Sequence, residues 1–277
     1  MNETGKKIAY CGIEGAFAHI AAGRIFPDCE LVPFSDFMDC YRSVCEGKCD
    51  FCVLPIENSY AGEVGSVTDI MFGGELFING IFPLFVSQNL LGVPGSLISD
   101  IKSVISHPQA LEQCKNYIAE HKFAKIEGAN TALAAKHVAE KKDRTVAAIA
   151  SLETAKLYGL EVLRENINES NFNFTRFAVL SKNEKLPSEE ADAFVLMFTV
   201  KDEAGALVNA IKALGDEGFN MKVIRSRPLK NEKFRYYFYI EAEGETDSDR
   251  FLRMITAMEK HCETVKVMGS FSQDAKI

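Results

Sequence analysis

Lys7-Ile-Ala-Tyr-Cys11, Gly12-Ile-Glu-Gly15, Ala16-Phe-Ala-His-Ile-Ala-Ala-Gly-Arg-Ile25: an apolar run, a turn bounded by glycines and a helical stretch follow one another without a gap. A short apolar run closed by glycine reads as a strand, and strand–turn–helix opens a unit whose next strand lies parallel to the first. The pattern continues downstream. Phe37, Tyr41 and Val44 lie at helical spacing within Asp36–Glu46, and Phe51–Pro55 reads as the next strand. Ile101–Ser106 reads as a strand, Pro108–His121 and Thr131–Glu140 as helices, Val146–Ala150 as a strand, and Ser151–Tyr158 as a helix stopped by Gly159. Strands alternating with helices predict α/β architecture with a parallel sheet and helical crossovers.

The rhythm then changes. Ser181–Glu190 is polar, contains Pro187 and reads as a linker. Beyond it come a strand at Ala193–Val200 and an amphipathic helix at Gly205–Glu217 carrying Leu207, Ile211 and Leu214. Lys222–Leu229 and Phe234–Ala242 read as a hairpin around Lys230-Asn231-Glu232. A helix at Asp247–Lys260 and a strand at Thr264–Gly269 complete βαββαβ, the ferredoxin-like motif.

A length of 277 residues favours about two domains. The net charge of −8 argues against a nucleic-acid binder, so an anion would need a locally positive cleft. Met1–Lys7 is polar and unlike a secretory signal. The most apolar stretch, Leu76–Val93, is broken by Asn79, Pro83, Ser87, Gln88 and Asn89, so it reads as two short strands rather than a membrane span. A cytoplasmic location and no membrane partner are expected. Of eight cysteines, Cys40, Cys45, Cys49 and Cys52 cluster, but Cys49-Asp-Phe-Cys52 has no second C-x-x-C to complete a zinc or redox site. The cluster reads as small buried residues, with neither metal nor disulfide expected.

Three segments place small or polar residues where a helix begins: Gly12–Gly15, Ser106-His107-Pro108-Gln109, and Asn130-Thr131. Each reads as ordinary capping on its own. Together, at the strand ends of an α/β body, they suggest a cleft for a small anion. Pro55-Ile-Glu-Asn-Ser59 ends a strand just before Gly62 and Gly65, a setting suited to ligand contact or to a plain turn. Asn173-Phe-Thr-Arg-Phe177 sets an arginine between a hydroxyl and an aromatic, which suits a carboxylate but equally an exposed strand.

Pro55-Ile-Glu-Asn-Ser59, Ser106-His-Pro-Gln-Ala-Leu111 with Gln113-Cys114, and Asn173-Phe-Thr-Arg-Phe177 resemble, in order, the three signature segments of prephenate dehydratases. Asn130-Thr-Ala132 and Ala148-Ile-Ala-Ser151 resemble the family's intervening helix start and strand. Gly205-Ala-Leu-Val208, with Ser226-Arg-Pro228 downstream, resembles the ACT regulatory domain attached to these enzymes. The resemblance implies a two-lobed, periplasmic-binding-protein-like catalytic part over residues 1–183. Lobe one would hold about 1–80 plus 164–183 and lobe two about 81–163, followed by a linker at 184–190 and an ACT domain at 191–277. One loop departs from it: relatives read Gly-Pro-x-Gly-Thr/Ser-Phe/Tyr-Ser, whereas Gly12-Ile-Glu-Gly-Ala-Phe-Ala18 lacks both hydroxyls.

The implied reaction removes the ring carboxylate of prephenate as CO₂ and the ring hydroxyl as water, giving phenylpyruvate with no cofactor. The resemblance makes Thr175 the catalytic hydroxyl and Arg176 the carboxylate anchor. Asn58, Ser59, His107, Gln109, Asn173 and Phe177 are expected around the substrate. Glu57, which would repel an anion, is expected to orient the loop. Phenylalanine is the expected effector, at Gly205, Ala206, Leu207, Val208, Asn220, Arg225, Ser226, Arg227 and Pro228, between ACT domains of a homodimer or homotetramer. Arg225 stands where relatives carry Glu, which is expected to weaken that binding. Arogenate dehydration and a non-catalytic aromatic-acid sensor are the alternatives.

Overall fold

The computed structural model describes residues 5–170, 172–183, 191–230, 235–273 and 277. The linker expected at 184–190, and Asn231 and Glu232 of the expected hairpin turn, lie outside the described residues.

The first lobe is built from β1 (Lys7–Cys11), α1 (Phe17–Ile25), β2 (Glu30–Phe34), α2 (Phe37–Cys45), β3 (Phe51–Asn58), the short β4 (Gly62–Glu63), α3 (Gly65–Gly73) and β5 (Phe77–Phe85). The second holds β6 (Asn89–Gly92), β7 (Ser103–Ser106), α4 (Pro108–Gln113), α5 (Lys115–Glu120), β8 (Ala124–Glu127), α6 (Thr131–Lys141), β9 (Val146–Ala150), α7 (Leu152–Tyr158) and β10 (Glu161–Arg164). The chain then returns through β11 (Phe174–Ser181) to the first sheet. A third unit follows: β12 (Ala193–Val200), α8 (Ala206–Asp216), β13 (Asn220–Pro228), β14 (Tyr236–Glu243), α9 (Asp249–Glu259) and β15 (Cys262–Phe271).

The sheets run β2-β1-β3-β11-β5, β10-β6-β9-β7-β8 and β13-β14-β12-β15. The last is the ferredoxin-like order. The first two are mixed rather than parallel throughout, because β11 is antiparallel to β3 and β5, and β6 to β9. These strands lie where the chain crosses between lobes, and each enters its sheet from the opposite end. The helix expected over Pro108–His121 is broken at Cys114. Glu169 N–H takes the Gln113 carbonyl at 2.9 Å, and its side chain accepts from Asn116 N–H at 3.1 Å, so both groups are lost to a continuous helical ladder.

The faces of the first sheet bury different partners. On one, Val53, Phe177 and Val179 pack with Ile20, Ala21 and Ile25 of α1. On the other, Leu54, Ala178 and Leu180 share one core with Tyr41, Val44, Met71 and the third sheet's Val195, Met197, Tyr239 and Met268. The third unit is thus docked by a sheet face, while α8 and α9 cover its other face, with Met254 and Met258 of α9 in one core with Phe194 and Phe198. Cys40, Cys49 and Cys52 lie in the shared core. A hydrogen bond with Cys52, together with burial, pushes the Cys40 thiol far above its ordinary range. No helix among the described residues is long and apolar enough to cross a membrane.

Candidate active site

The carboxyl ends of β1, β3, β7 and β9 meet at the seam between the lobes, the usual ligand position in open α/β folds. Among the described residues, Arg24 Nη2 donates across it to Glu153 at 2.6 Å, and several further bonds bridge it. Gln109 Nε2 donates to Asn58 Oδ1 at 3.4 Å, Asn173 Nδ2 donates to Gln113 Oε1 at 3.1 Å, Thr154 Oγ1 donates to the Gly15 carbonyl at 2.9 Å, and Tyr158 Oη donates to the Glu14 carbonyl at 3.0 Å.

Asn58 organises the first-lobe side. It is buried, and its Oδ1 accepts from Tyr60 and Ala61 N–H at 3.0 and 2.9 Å, shaping the turn that β4 closes. Its Nδ2 lies 2.9 Å from Asn173 Oδ1, 3.2 Å from the Phe174 carbonyl and 3.0 Å from Thr175 Oγ1. Because Thr175 accepts from an amide that has no lone pair to offer in return, its own O–H is left to donate outward. Asn173 is equally committed: its Nδ2 also donates to the Val86 carbonyl at 3.1 Å. Ser59 Oγ donates to the Phe172 carbonyl at 2.6 Å and accepts from Phe174 N–H at 2.9 Å, stapling the end of β3 to the start of β11. These side chains build the site more than they present themselves to a ligand.

His107 is the N-cap of α4, with Nδ1 accepting from Gln109 N–H at 3.2 Å. In that neutral tautomer Nε2 carries the proton. Asn130 and Ser151 cap α6 and α7. Ala16 gives α1 no side-chain cap; Gly15 N–H instead donates to His19 Nδ1 at 3.3 Å. Burial lowers the His19 pKa, and the ring stands edge-on to Tyr10 with centroids 5.1 Å apart. Sequence reading passed over His19, Gln113 and Thr154 as site residues. Gln113 had a signal in the Gln113-Cys114 pair, while His19 and Thr154 had none in their local pattern.

Arg176, Glu57 and Phe177 are not brought to the seam. Phe177 is a core residue, 1% exposed. Arg176 and Glu57 face the third unit. Arg176 Nη1 and Nη2 donate to the two oxygens of Glu241 at 2.9 and 2.7 Å, and Nη1 also reaches Glu57 at 3.2 Å. Burial opposes the Arg176 charge, but the hydrogen bonds and charge of Glu241 outweigh it and hold the guanidinium above its ordinary pKa. Arg225 Nη2 lies 2.7 Å from Glu57 Oε2, its guanidinium is over the Tyr239 ring, and its side chain is 11% exposed. Arg227 grips Asp69 of α3 through Nε at 2.7 Å and Nη2 at 3.0 Å, with Tyr237 Oη at 2.7 Å. The hydrogen bonds from Arg227, then those from Tyr237 and Lys230, overcome burial and hold the Asp69 carboxyl well below the usual range.

The expected effector residues therefore divide by strand parity. Arg225 and Arg227 turn inward to the first lobe, while Ser226 and Pro228 turn outward with the exposed Ile224. Asn220 donates across the sheet to Glu243 at 2.7 Å. Gly205, at φ +86°, begins α8 without a side-chain cap, and Ala206 is buried while Val208 is exposed.

Two facing lobes with a polar seam, and a ferredoxin-like unit docked on one of them, define a ligand-cleft protein with an appended small domain. The chain belongs to the prephenate dehydratase family: residues 8–185 match the family model described as prephenate dehydratase. It is 32% identical, over 97% of its length and 72% of the relative's, to arogenate dehydratase/prephenate dehydratase 1, chloroplastic, from Arabidopsis thaliana. Among solved structures it is similar to prephenate dehydratase from Arthrobacter aurescens in complex with L-Phe, with TM-score 0.88, 28% identity and coverage of 96% and 90% of the two chains. It is also similar to GqqA, described as a novel type of quorum quenching acylase, with TM-score 0.88, 29% identity and coverage of 96% and 98%.

Proposed function

We propose that the protein converts prephenate to phenylpyruvate, with Thr175 hydrogen-bonding the departing ring hydroxyl. The observation that carries this reading is the Asn58–Thr175 contact of 3.0 Å, which engages the Thr175 oxygen as an acceptor and leaves its own proton free to donate. As the ring carboxylate leaves as CO₂, its bonding electrons aromatise the ring and expel the hydroxyl, which departs as water on receiving a proton. Threonine is a weak acid, so Asn58 supports it by donating to the oxygen as negative charge develops there. Gln109 and the protonated Nε2 of His107 are the neutral donors for the substrate's polar groups. The α1 N-terminus, free of any side-chain cap, offers backbone N–H groups to a carboxylate.

Arogenate, the aminated substrate, is the second reading, favoured by the name of the Arabidopsis relative. A side-by-side measurement of kcat/KM for the two substrates decides between them. If folded protein forms neither phenylpyruvate from prephenate nor phenylalanine from arogenate faster than the spontaneous rate, both readings are refuted and a sensor is left. Phenylalanine is the proposed effector, supported by the L-Phe complex of the Arthrobacter structure. Its proposed site lies on the outer side of the ferredoxin-like unit, an ACT domain on this reading, near Gly205, Asn220 and Ser226, between subunits of a homodimer or homotetramer.

A further inference from the structure

The paired strands β3 and β11 hold a bulge beside the proposed catalytic hydroxyl. Phe177 pairs with Pro55 and Arg176 with Glu57, so Ile56 has no opposite residue on β11. The extra residue changes which side chain faces which way. Pro55 shares the α1 side with its partner Phe177. Strict alternation from Pro55 would put Glu57 on that side and turn Asn58 toward the third unit. With Ile56 inserted, Glu57 faces the third unit and Asn58 meets Thr175 in the seam. The unbulged register would therefore place a carboxylate where a dianionic substrate must bind, and would strip Thr175 of its supporting donor.

Two residues of the third unit grip this turn from behind. Arg225 pairs with Glu57 at 2.7 Å, and Glu241 takes Arg176 through both oxygens at 2.7 and 2.9 Å. Tyr239 Oη fixes Glu241 at 2.7 Å, and the Tyr239 ring lies under Arg225. The Glu241 side chain is only 5% exposed. Glu57 turned away from Arg225 would leave a buried arginine without its counter-charge. Within the first lobe the same turn is held by Arg176 Nη1 on Glu57 at 3.2 Å, by pairing of Glu57 with Glu63 and of Asn58 with Gly62 on β4, and by Val64 N–H donating to the Ile56 carbonyl at 2.9 Å; Arg225 adds the counter-charge from behind.

We propose that Arg225 and Glu241 are positioning residues of the active site: through Glu57 and Arg176 they hold the Ile56 bulge, and so keep Asn58 rather than Glu57 in the seam. The ferredoxin-like unit is then part of the structure that makes the site, independently of any effector it binds. The kinetic half of this inference rests on the proposed dehydratase reading; the structural half does not.

The test uses the full-length chain and two variants of the same docking face. Arg225→Gln removes the grip on Glu57, while Asp69→Asn loosens docking at α3, away from the bulge. For Arg225→Gln the expected result is a fall in kcat of roughly tenfold to a hundredfold, the scale of a small misplacement of a catalytic group. Faster amide exchange at Tyr60 and Ala61, whose N–H groups Asn58 protects, should accompany it. Arg225→Lys should recover much of both. Asp69→Asn should leave kcat and these two amides at parent values. Parent kcat and parent exchange in Arg225→Gln would overturn the proposal, as would equal losses in both variants, which would reduce Arg225 to a docking contact. If Arg225→Gln does not fold, Glu57→Gln reads the same amides from the other partner. If no substrate turns over in the parent, the exchange measurement still decides the bulge.

Discussion

Gly269→Ala should be among the most damaging single-methyl additions in this chain. Gly269 lies in β15 at φ +133°, a conformation open to glycine and costly for an L side chain. It is also where the third sheet meets the first lobe: a Cβ built there would stand 2.2 Å from the carbonyl oxygen and 3.1 Å from the carbonyl carbon of Ile78. Both obstacles are backbone, so no rotamer change relieves them. Forced backbone in a sparsely populated region costs about 1–3 kcal/mol, and overpacking a filled site costs about 1–3 kcal/mol more. A loss of roughly 2–6 kcal/mol follows, much of the stability of an ordinary domain. Urea unfolding monitored by far-ultraviolet circular dichroism measures it. Gly215→Ala, in α8 where a Cβ meets nothing within 4 Å, is the control and should stabilise by about 0.5–1 kcal/mol. A Gly269→Ala chain within about 0.5 kcal/mol of the parent, the range of inert surface changes, would refute the close approach of β15 to β5 and with it the docked arrangement.

Thr175→Ala should lower kcat about a hundredfold or more while Thr175→Ser keeps a larger share. Stability should change by no more than about 1 kcal/mol, since Asn58 Nδ2 retains Asn173 and the Phe174 carbonyl; an alanine variant with parent kcat would remove the proposed role. Arg176→Lys should destabilise by roughly 1–3 kcal/mol, because an ammonium cannot make the two-pronged contact with buried Glu241. If urea unfolding shows no loss and KM alone rises, Arg176 acts on substrate rather than on the third unit. Asp69, whose folded pKa is depressed, contributes stability fully present above its unfolded value of about 3.9 and lost as pH falls below that toward the folded value. Melting temperatures recorded from about pH 6 down to about pH 3 should therefore fall more steeply for the parent than for Asp69→Asn, and parallel curves would contradict this assignment.

The fold was legible where apolar period and caps agreed. The helix beginning at Asp36 announces itself by an aspartate that accepts from Asp39 N–H at 2.8 Å, and Ala193–Val200 by an apolar run, interrupted at Thr199, buried between lobe one and α8 and α9. What escaped was chiefly at sheet edges. β2, β8 and β10 each end a sheet, and the four residues of β8, Ala-Lys-Ile-Glu, are exposed along their whole length, so their short alternation buries no face. α3 begins and ends in glycine, has no side-chain cap, and is held by burial of Val67, Thr68 and Met71. Those contacts are made with segments distant in the chain and leave no local trace.

The segments at Asn58, His107 and Thr175 were picked out by their resemblance to the family's signature segments; which residue of each faces the seam was not legible. Sequence could not say which of Glu57 or Asn58, or of Thr175 or Arg176, faces the seam, since alternation along a strand gives relative parity and an unpaired residue reverses it. Ile56 is that residue. It is fully buried and apolar, like its neighbours Leu54 and Val53, and nothing in Val53-Leu-Pro-Ile-Glu-Asn58 distinguishes an inserted residue from an ordinary one. The reversal becomes visible only through partners distant in the chain, Arg225 against Glu57 and Glu241 against Arg176. The same parity argument applies to β13. Arg225, expected on the ligand side as a reversed charge, belongs to the inward set with Arg227, so its chemistry is directed at the catalytic body while Ser226 keeps the outward face. A substitution at Arg225 therefore tests the bulge before it tests phenylalanine.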